Sequence, residues 1–427
     1  MNILIRNAKI IDTGSSHHNT VKDILIEYSR IAKIGKNLRN PGKIQEIKFD
    51  GLHVSLGWVD MNSFFADPGF EYKETIETGC KAAAAGGYTQ VCLMPNTEPI
   101  IQSKSMIEYV WNKSMGEVVS LLPIGALTHN CEGKELADLY DMHGAGAVAF
   151  SDGLKTSPTA GMVERALLYV KAFDGLIMLH PEDKSISKNG TMHEGKVSTL
   201  LGLPAMPAFA EEIAVARDLY VLEYTDSSLH FLDISVKKSA ELIKAAKKKG
   251  LKVSASVNAY NLWATDEAVG SYNTNWKVNP PLRPKAETDA IIKAIKEGTI
   301  DTITSQHRPQ DEESKKLEFD KADFGIEALE TAFAVANTRL REHIDITALV
   351  NLFSNNARNL LDIEGECIEE QAVADLTLFS PDLKWTFEAK DIQSRSKNSP
   401  FVGEQLIGKP LGVINNGFTS LSHYLIK

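Results

Sequence analysis

Eight short apolar stretches, each separated from the next by a helix-length segment, constrain this chain more than any other feature. They fall at residues 56–60, 89–94, 121–127, 147–151, 176–179, 229–235, 252–257 and 300–304. Between them, residues 75–85, 103–113, 161–173, 210–222, 239–249 and 286–297 carry apolar residues at a spacing near 3.6. The first of these helices runs into Gly86-Gly87, a C-terminal capping signal. Short buried strands alternating with helices predict parallel βα units, and this number of them closes a (β/α)8 TIM barrel. The competing open, doubly wound sheet needs a glycine-rich turn after its first strand. No Gly-x-Gly-x-x-Gly follows residue 60.

The two ends of the chain have a different texture. Residues 2–11 and 23–34 read as β-strands, the latter a hairpin in which apolar and polar residues alternate across a short turn. The tail from 372 to 427 is also β-like, with Ala374-Asp375-Leu376-Thr377-Leu378-Phe379 running into a Ser380-Pro381-Asp382 turn. Neither end can build a core alone. The expectation is one small β-sandwich-like domain formed from both termini, 1–55 and 362–427, with the barrel, 56–361, inserted between them.

Charge narrows the partners. The 427 residues carry 46 basic and 56 acidic side chains, a formal charge of −10, which disfavours nucleic acid or an anionic membrane as a partner. The one basic cluster, Lys237-Lys238 with Lys247-Lys248-Lys249, reads as a solvated helix face. The first six residues lack the basic start and long apolar run of a leader, and no apolar run approaches a membrane span. Cys80, Cys92, Cys131 and Cys367 are scattered with no Cys-x-x-Cys pair, so they read as reduced thiols. A cytoplasmic protein is expected.

A parallel barrel keeps its chemistry at the C-terminal strand ends. Residues i and i+2 on a strand point the same way, so a His-x-His pair there can hold one metal ion. The matching positions here are Asn62 and Phe64. A neutral amide is a poor zinc ligand and a phenyl ring is none. Other strand ends carry Asn96, Asp152, His180 with Glu182-Asp183, Asp233, Asn279 and Gln306-His307. Polar residues on so many strand ends predict a pocket. Among the remaining histidines, His17-His18 read as solvated, and His129, His143, His193 and His343 as surface or capping residues. Alternation places His230 opposite Asp233 and turns His307 away from Gln306. Trp58 reads as core.

These segments resemble the dihydroorotase branch of the amidohydrolase superfamily, in its long bacterial form, over nearly the whole chain. Asp60-Met61-Asn62-Ser63-Phe64-Phe65-Ala66-Asp67-Pro68-Gly69 stands where the family has Asp-x-His-x-His-x-Arg-x-Pro-Gly. Met94-Pro95-Asn96-Thr97-Glu98-Pro99 and Val278-Asn279-Pro280-Pro281-Leu282-Arg283 follow the family pattern unchanged. Phe150-Ser151-Asp152-Gly153 is one Asp short of Phe-Ser-Asp-Asp-Gly, and His180-Pro181-Glu182-Asp183 is similar to His-Cys-Glu-Asp. Thr304-Ser305-Gln306-His307-Arg308-Pro309-Gln310 takes the place of Thr-Asp-His-Ala-Pro-His.

The resemblance implies a hydrolase of pyrimidine biosynthesis that interconverts carbamoyl-aspartate and dihydroorotate with two zinc ions, a bridging carboxylate and a last-strand aspartate. Carried over by position, the first-strand histidines become Asn62 and Phe64, and the bridging carboxylate is Asp152. The fifth-strand histidine is His180, the sixth-strand histidine becomes Asp233, and the catalytic aspartate becomes Gln306. The groups that hold the substrate carboxylate become Ala66, Asn96, Asn279 and Gln310, so Asn96 and Asn279 are the retained substrate-binding residues. Glutamine cannot exchange a proton near neutrality, and alanine cannot clamp a carboxylate. The expectation is a non-catalytic homologue with no metal, or one divalent ion weakly held by Asp152, His180 and Asp233. The resemblance further implies aspartate carbamoyltransferase as a partner, and a homodimer. The alternatives are an active dihydroorotase or related cyclic amidase using that single metal, and a small-molecule binding protein using the old pocket.

Overall fold

The structure, a computed structural model, describes residues 2–155, 158–363 and 365–425. All eight expected barrel strands form: Trp58–Ser63, Tyr88–Leu93, Ser120–Gly125, Ala149–Phe150, Ile177–Leu179, Leu229–Phe231, Val253–Asn258 and Thr302–Thr304. They lie side by side in chain order, every pairing parallel. The first is buried at every residue, as a strand covered on both faces must be. The ring is drawn together where the last strand meets the first. Ser63 bridges His307 in parallel, and the Phe64 N–H donates to the His307 carbonyl at 2.8 Å.

Asp60 reinforces that seam. Its carboxylate accepts the Ser305 N–H at 2.8 Å, the Ser305 hydroxyl at 2.6 Å and the Ser63 hydroxyl at 2.5 Å. Burial pushes this carboxyl up to about 6, although those three donors pull the other way. A carboxyl raised in the folded state adds stability that is fully present below its unfolded value of 3.8 and is lost as pH rises through about 6. Ionising it in place therefore costs about 3 kcal/mol. Asp60→Asn should flatten that loss: urea unfolding of wild type and variant should diverge between pH 4 and pH 7. Parallel curves across that window would show that Asp60 is not the titrating group.

Both chain ends build one curled sheet beside the barrel. Its strand order is Phe418–Leu421, Gln405–Asn415, Leu376–Thr386, His53–Leu56, Asn2–Ile11, Val21–Glu27 and Arg30–Gly35, with Gln45–Lys48 also paired to Asn2–Ile11. Ile3, Ile5, Ile24, Val54, Leu376 and Leu411 form part of its apolar core. The handover between sheet and barrel explains a shift in the first barrel strand. Leu56 still pairs with Leu376 in the terminal sheet, so the barrel strand begins at Trp58 and continues to Ser63. Gly57 sits between them because a Cβ there would lie 2.0 Å from both Asp375 Oδ1 and Thr89 Oγ1. Trp58 is fully buried among Tyr88, Phe333, Phe353 and Phe379, with ring centroids 4.5 to 6.3 Å apart.

The expected helices appear as Ile76–Ala85, Lys104–Ser114, Ala160–Val170, Phe209–Thr225, Lys237–Lys248 and Lys285–Lys296. Thr75 caps the first, its side chain accepting from the Thr78 N–H. Ala332–Leu340 is an additional helix that escapes a periodicity search because it is buried nearly all round. The basic cluster is an ion-paired helix face: Lys238 reaches Glu241 at 3.6 Å, Lys247 reaches Asp301 at 2.7 Å and Lys249 reaches Glu223 at 3.0 Å. Among the described residues no helix is long and apolar enough to cross a membrane.

Candidate active-site pocket at the barrel mouth

The strand ends converge as the barrel topology requires, but on hydrogen bonds between protein groups. Asn62 donates from Nδ2 to Asp233 Oδ2 at 2.6 Å. The other carboxylate oxygen of Asp233 accepts the Thr304 hydroxyl at 2.6 Å and the Ser256 hydroxyl at 3.1 Å. Side chains from the first, seventh and eighth strands thus close on one carboxylate just beyond the sixth. Burial pushes the Asp233 carboxyl up, and Thr304, Asn62, the charge of His180 and Ser256 offset only part of the rise.

Asp152 is similarly engaged. Its two oxygens accept the Thr128 N–H at 2.9 Å and the Thr128 hydroxyl at 2.6 Å. Burial pushes this carboxyl up too, against the pull of Thr128. Asn96 donates to the Asp152 carbonyl at 3.1 Å, while its own Oδ1 is buried with no partner among the described residues.

The fifth- and eighth-strand ends are linked into a chain. His180 Nε2 lies 3.6 Å from Glu182 Oε2. Asn279 Nδ2 donates to the same Glu182 oxygen at 3.0 Å, and Gln306 Nε2 donates to the Asn279 carbonyl at 2.9 Å. The Tyr260 hydroxyl donates to Gln306 Oε1 in a close contact. Burial raises the Glu182 carboxyl, but His180, Ser187 and Asn279 outweigh it and hold the group down at about 2. Gln306 is thus an amide whose oxygen and nitrogen are both hydrogen-bonded.

Beside these networks lies a cavity of about 280 Å³. Phe64, Ala66, Phe70, Met94, Asn96 and Arg308 contribute to its wall, together with Lys73, Lys155 and Gln310. Gln310 Oε1 accepts from Lys73 Nζ at 2.7 Å. Arg308 was not singled out by the sequence. The available signal was an arginine two residues beyond Gln306, on the loop leaving the last strand.

The histidines divide. His230 is fully buried, its Nδ1 2.8 Å from Ser254 Oγ on the neighbouring strand, and burial with the charge of Lys247 pushes it down to about 3. His307 sits with Nε2 3.3 Å from Glu74 and its ring edge-on to Phe65. His143 is exposed and stacks on Phe173. The surface expectation fails for His193. The short parallel pair Met192–His193 and Ala205–Met206 folds this excursion inward and sets its Nδ1 3.1 Å from the buried Arg283 guanidinium.

Among the described residues no three His, Cys, Asp or Glu side chains are already grouped about one point, although His180 lies close enough to Asp233 for its charge to act on that carboxyl. The oxygens of Asp152 and Asp233 already accept from Thr128, Asn62, Thr304 and Ser256. Neither Asn62 nor Phe64 offers zinc a ligand.

An eight-stranded parallel barrel with a separate curled sheet and polar groups at the strand ends defines an amidohydrolase-type fold. It superimposes on the L-hydantoinase (dihydropyrimidinase) from Arthrobacter aurescens with a TM-score of 0.87 at 22% sequence identity, covering 99% of this chain and 96% of that one. A D-hydantoinase structure matches with a TM-score of 0.82. The sequence is closer to another group. Residues 52–239 match the family described as Dihydro-orotase-like. The dihydroorotase of Thermoanaerobacter sp. (strain X514) is 42% identical over 96% of this chain and 94% of that protein. That of Geobacter metallireducens (strain ATCC 53774 / DSM 7210 / GS-15) is 38% identical over 98% of this chain and 99% of that protein. The chain belongs to the dihydroorotase family.

Proposed function

We propose that this chain is a non-catalytic dihydroorotase homologue that serves in the cytoplasm, as a homodimer, as a structural or regulatory partner of aspartate carbamoyltransferase. The observation that carries the reading is the 2.6 Å hydrogen bond from Asn62 to Asp233. It joins two positions that the family resemblance assigns to metal-binding histidines. Gln306 supports it from the other side of the pocket, since an amide cannot serve as general acid or base. With Asp233 committed to three side-chain donors, a bound ion would have to displace hydrogen bonds to a buried carboxylate.

Where zinc is bound in this family, it activates water for attack on the cyclic amide carbonyl. In this chain the same strand ends hold side chains in place: Asn62 and Thr304 fix Asp233, Thr128 fixes Asp152, and Tyr260 fixes Gln306. A rival reading, a hydrolase with a single metal at Asp152, His180 and Asp233, draws on one observation. His180 Nδ1 is buried without a partner among the described residues.

Purified protein is expected to give no dihydroorotate hydrolysis above the uncatalysed rate, with or without added zinc, and less than one metal per chain by elemental analysis after dialysis. Turnover that is abolished by Asp152→Ala would overturn the non-catalytic reading and favour the rival. The partnership is tested separately. Co-sedimentation with aspartate carbamoyltransferase should give one complex, and two independent boundaries would remove that part of the proposal.

A further inference from the structure

Arg308 is the unusual cation of this molecule. The two buried arginines answer to carboxylates: Arg283 to Glu211 at 3.4 Å and Arg358 to Asp375 at 2.5 Å. Arg308 is half-buried in the wall of the barrel-mouth cavity, and among the described residues its guanidinium makes no hydrogen bond or ion pair. Its contact is with an aromatic face, Cζ lying 5.6 Å from the Phe64 ring centroid. Burial works against its charge, and Asp323 and Tyr260 offset this only in part. Asp323 is itself half exposed and paired with Lys73 at 3.0 Å.

The surroundings make the pocket more positive. Lys184 Nζ donates to the Leu154 and Lys155 carbonyls, and Lys73 donates to Gln310 and Asp323, so these two cations are engaged. Lys155 lines the same cavity with no side-chain partner among the described residues. A guanidinium with its five donors unmet matches a carboxylate bidentately. In a chain whose net charge is −10, a local cationic pocket also concentrates small anions. Phe70, Met94 and Leu154 supply apolar wall.

We infer that Arg308 and Phe64 make the barrel mouth a binding site for a small, flat organic anion, with its carboxylate on Arg308 and its ring against the apolar wall. The anchor is this chain's own. Ala66 stands where the family resemblance places an arginine, and Arg308 stands where it places an alanine, so the charge enters from the last strand's loop. The inference rests on the non-catalytic reading in one respect, that the bound anion leaves unchanged.

The test is calorimetric titration of the full-length protein with orotate, a flat ring bearing a carboxylate and N–H groups, against uracil, the same ring without the carboxylate. Orotate should bind at least about tenfold more tightly than uracil, and Arg308→Ala should weaken orotate by at least about tenfold, the scale of a charge-assisted bidentate pair. Arg341→Ala, which removes an exposed arginine paired to Asp382, should change nothing. Equal affinity for the two rings, no orotate binding at millimolar concentration, or undiminished binding by Arg308→Ala would each overturn the site. If Arg308→Ala fails to fold by circular dichroism, the contrast between the two rings on wild-type protein decides. Conversion of dihydroorotate by the same sample would sink the non-catalytic reading and leave the anion site standing. Loss of orotate binding alone would do the reverse.

Discussion

Asp233→Ala is expected to destabilise the protein by roughly 3–5 kcal/mol, as when one partner of a buried charged network is removed. Three side-chain donors end on this carboxylate, from Asn62, Thr304 and Ser256, and the residue is 1% exposed. Truncation leaves all three facing a hole that must hydrate or collapse. Asp233→Asn is the informative companion. An amide keeps one acceptor for Thr304 and Ser256, but turns an N–H₂ toward the Asn62 amide, so it should lose about 1–2 kcal/mol. The measurement is the urea midpoint at neutral pH. A midpoint for Asp233→Ala within error of wild type would mean that the carboxylate is held without stabilising anything. The position would then be better explained as a vacated ligand site than as a structural node.

That node also shows where sequence reading stops. Each barrel strand was legible because burial on both faces produces a continuous apolar run, and such runs need no partner to be recognised. The terminal sheet was legible for a related reason, since neither end has enough apolar surface to stand alone. The break at Gly57 was not. Leu56 and Trp58 look like one strand, and only the pairing of Leu56 with Leu376 assigns them to different sheets. The strand-end residues were likewise found one at a time, from position. Their partners were not, because Asn62 with Asp233 and Asp152 with Thr128 are separated by 171 and 24 residues, and no local pattern couples them.

Two residues mark the limit most clearly. His193 lies in a polar stretch and gives no hint of burial, since the fold encloses it through a two-residue strand pair and the Arg283 side chain. Arg308 sits beside Gln306-His307, at the strand end where the resemblance places an aspartate. Its meaning depends on Phe64, 244 residues earlier, lying beneath its guanidinium. The contact between Phe64 at one strand end and Arg308 at another is visible only when the ring has closed.

Restoring the family pattern should therefore require more than the residues the resemblance places on the metals and the substrate. Asn62→His, Phe64→His, Ala66→Arg, Asp233→His and Gln306→Asp together replace five of the positions where the chain departs from the resemblance, and leave Gln310 as it is. Single replacements should recover almost nothing, because groups that act as a unit are strongly non-additive. The structure adds two conditions. Phe64 is 9% exposed, and its removal opens volume at ~3–5 kcal/mol, so thermal stability has to be followed beside activity. Arg308, 5.6 Å from the Phe64 ring, would put a fixed positive charge beside any divalent cation placed there. The quintuple variant should then bind zinc poorly, and adding Arg308→Ala should raise zinc occupancy toward two per chain and bring measurable dihydroorotate hydrolysis. Tyr260 favours the outcome, since its hydroxyl, now donating to the Gln306 amide, can donate equally to a carboxylate at that position. Equal zinc occupancy with and without Arg308→Ala would dismiss the repulsion. A folded sixfold variant holding two zincs without turnover would show that the pocket walls, not only the ligands, have left catalytic geometry.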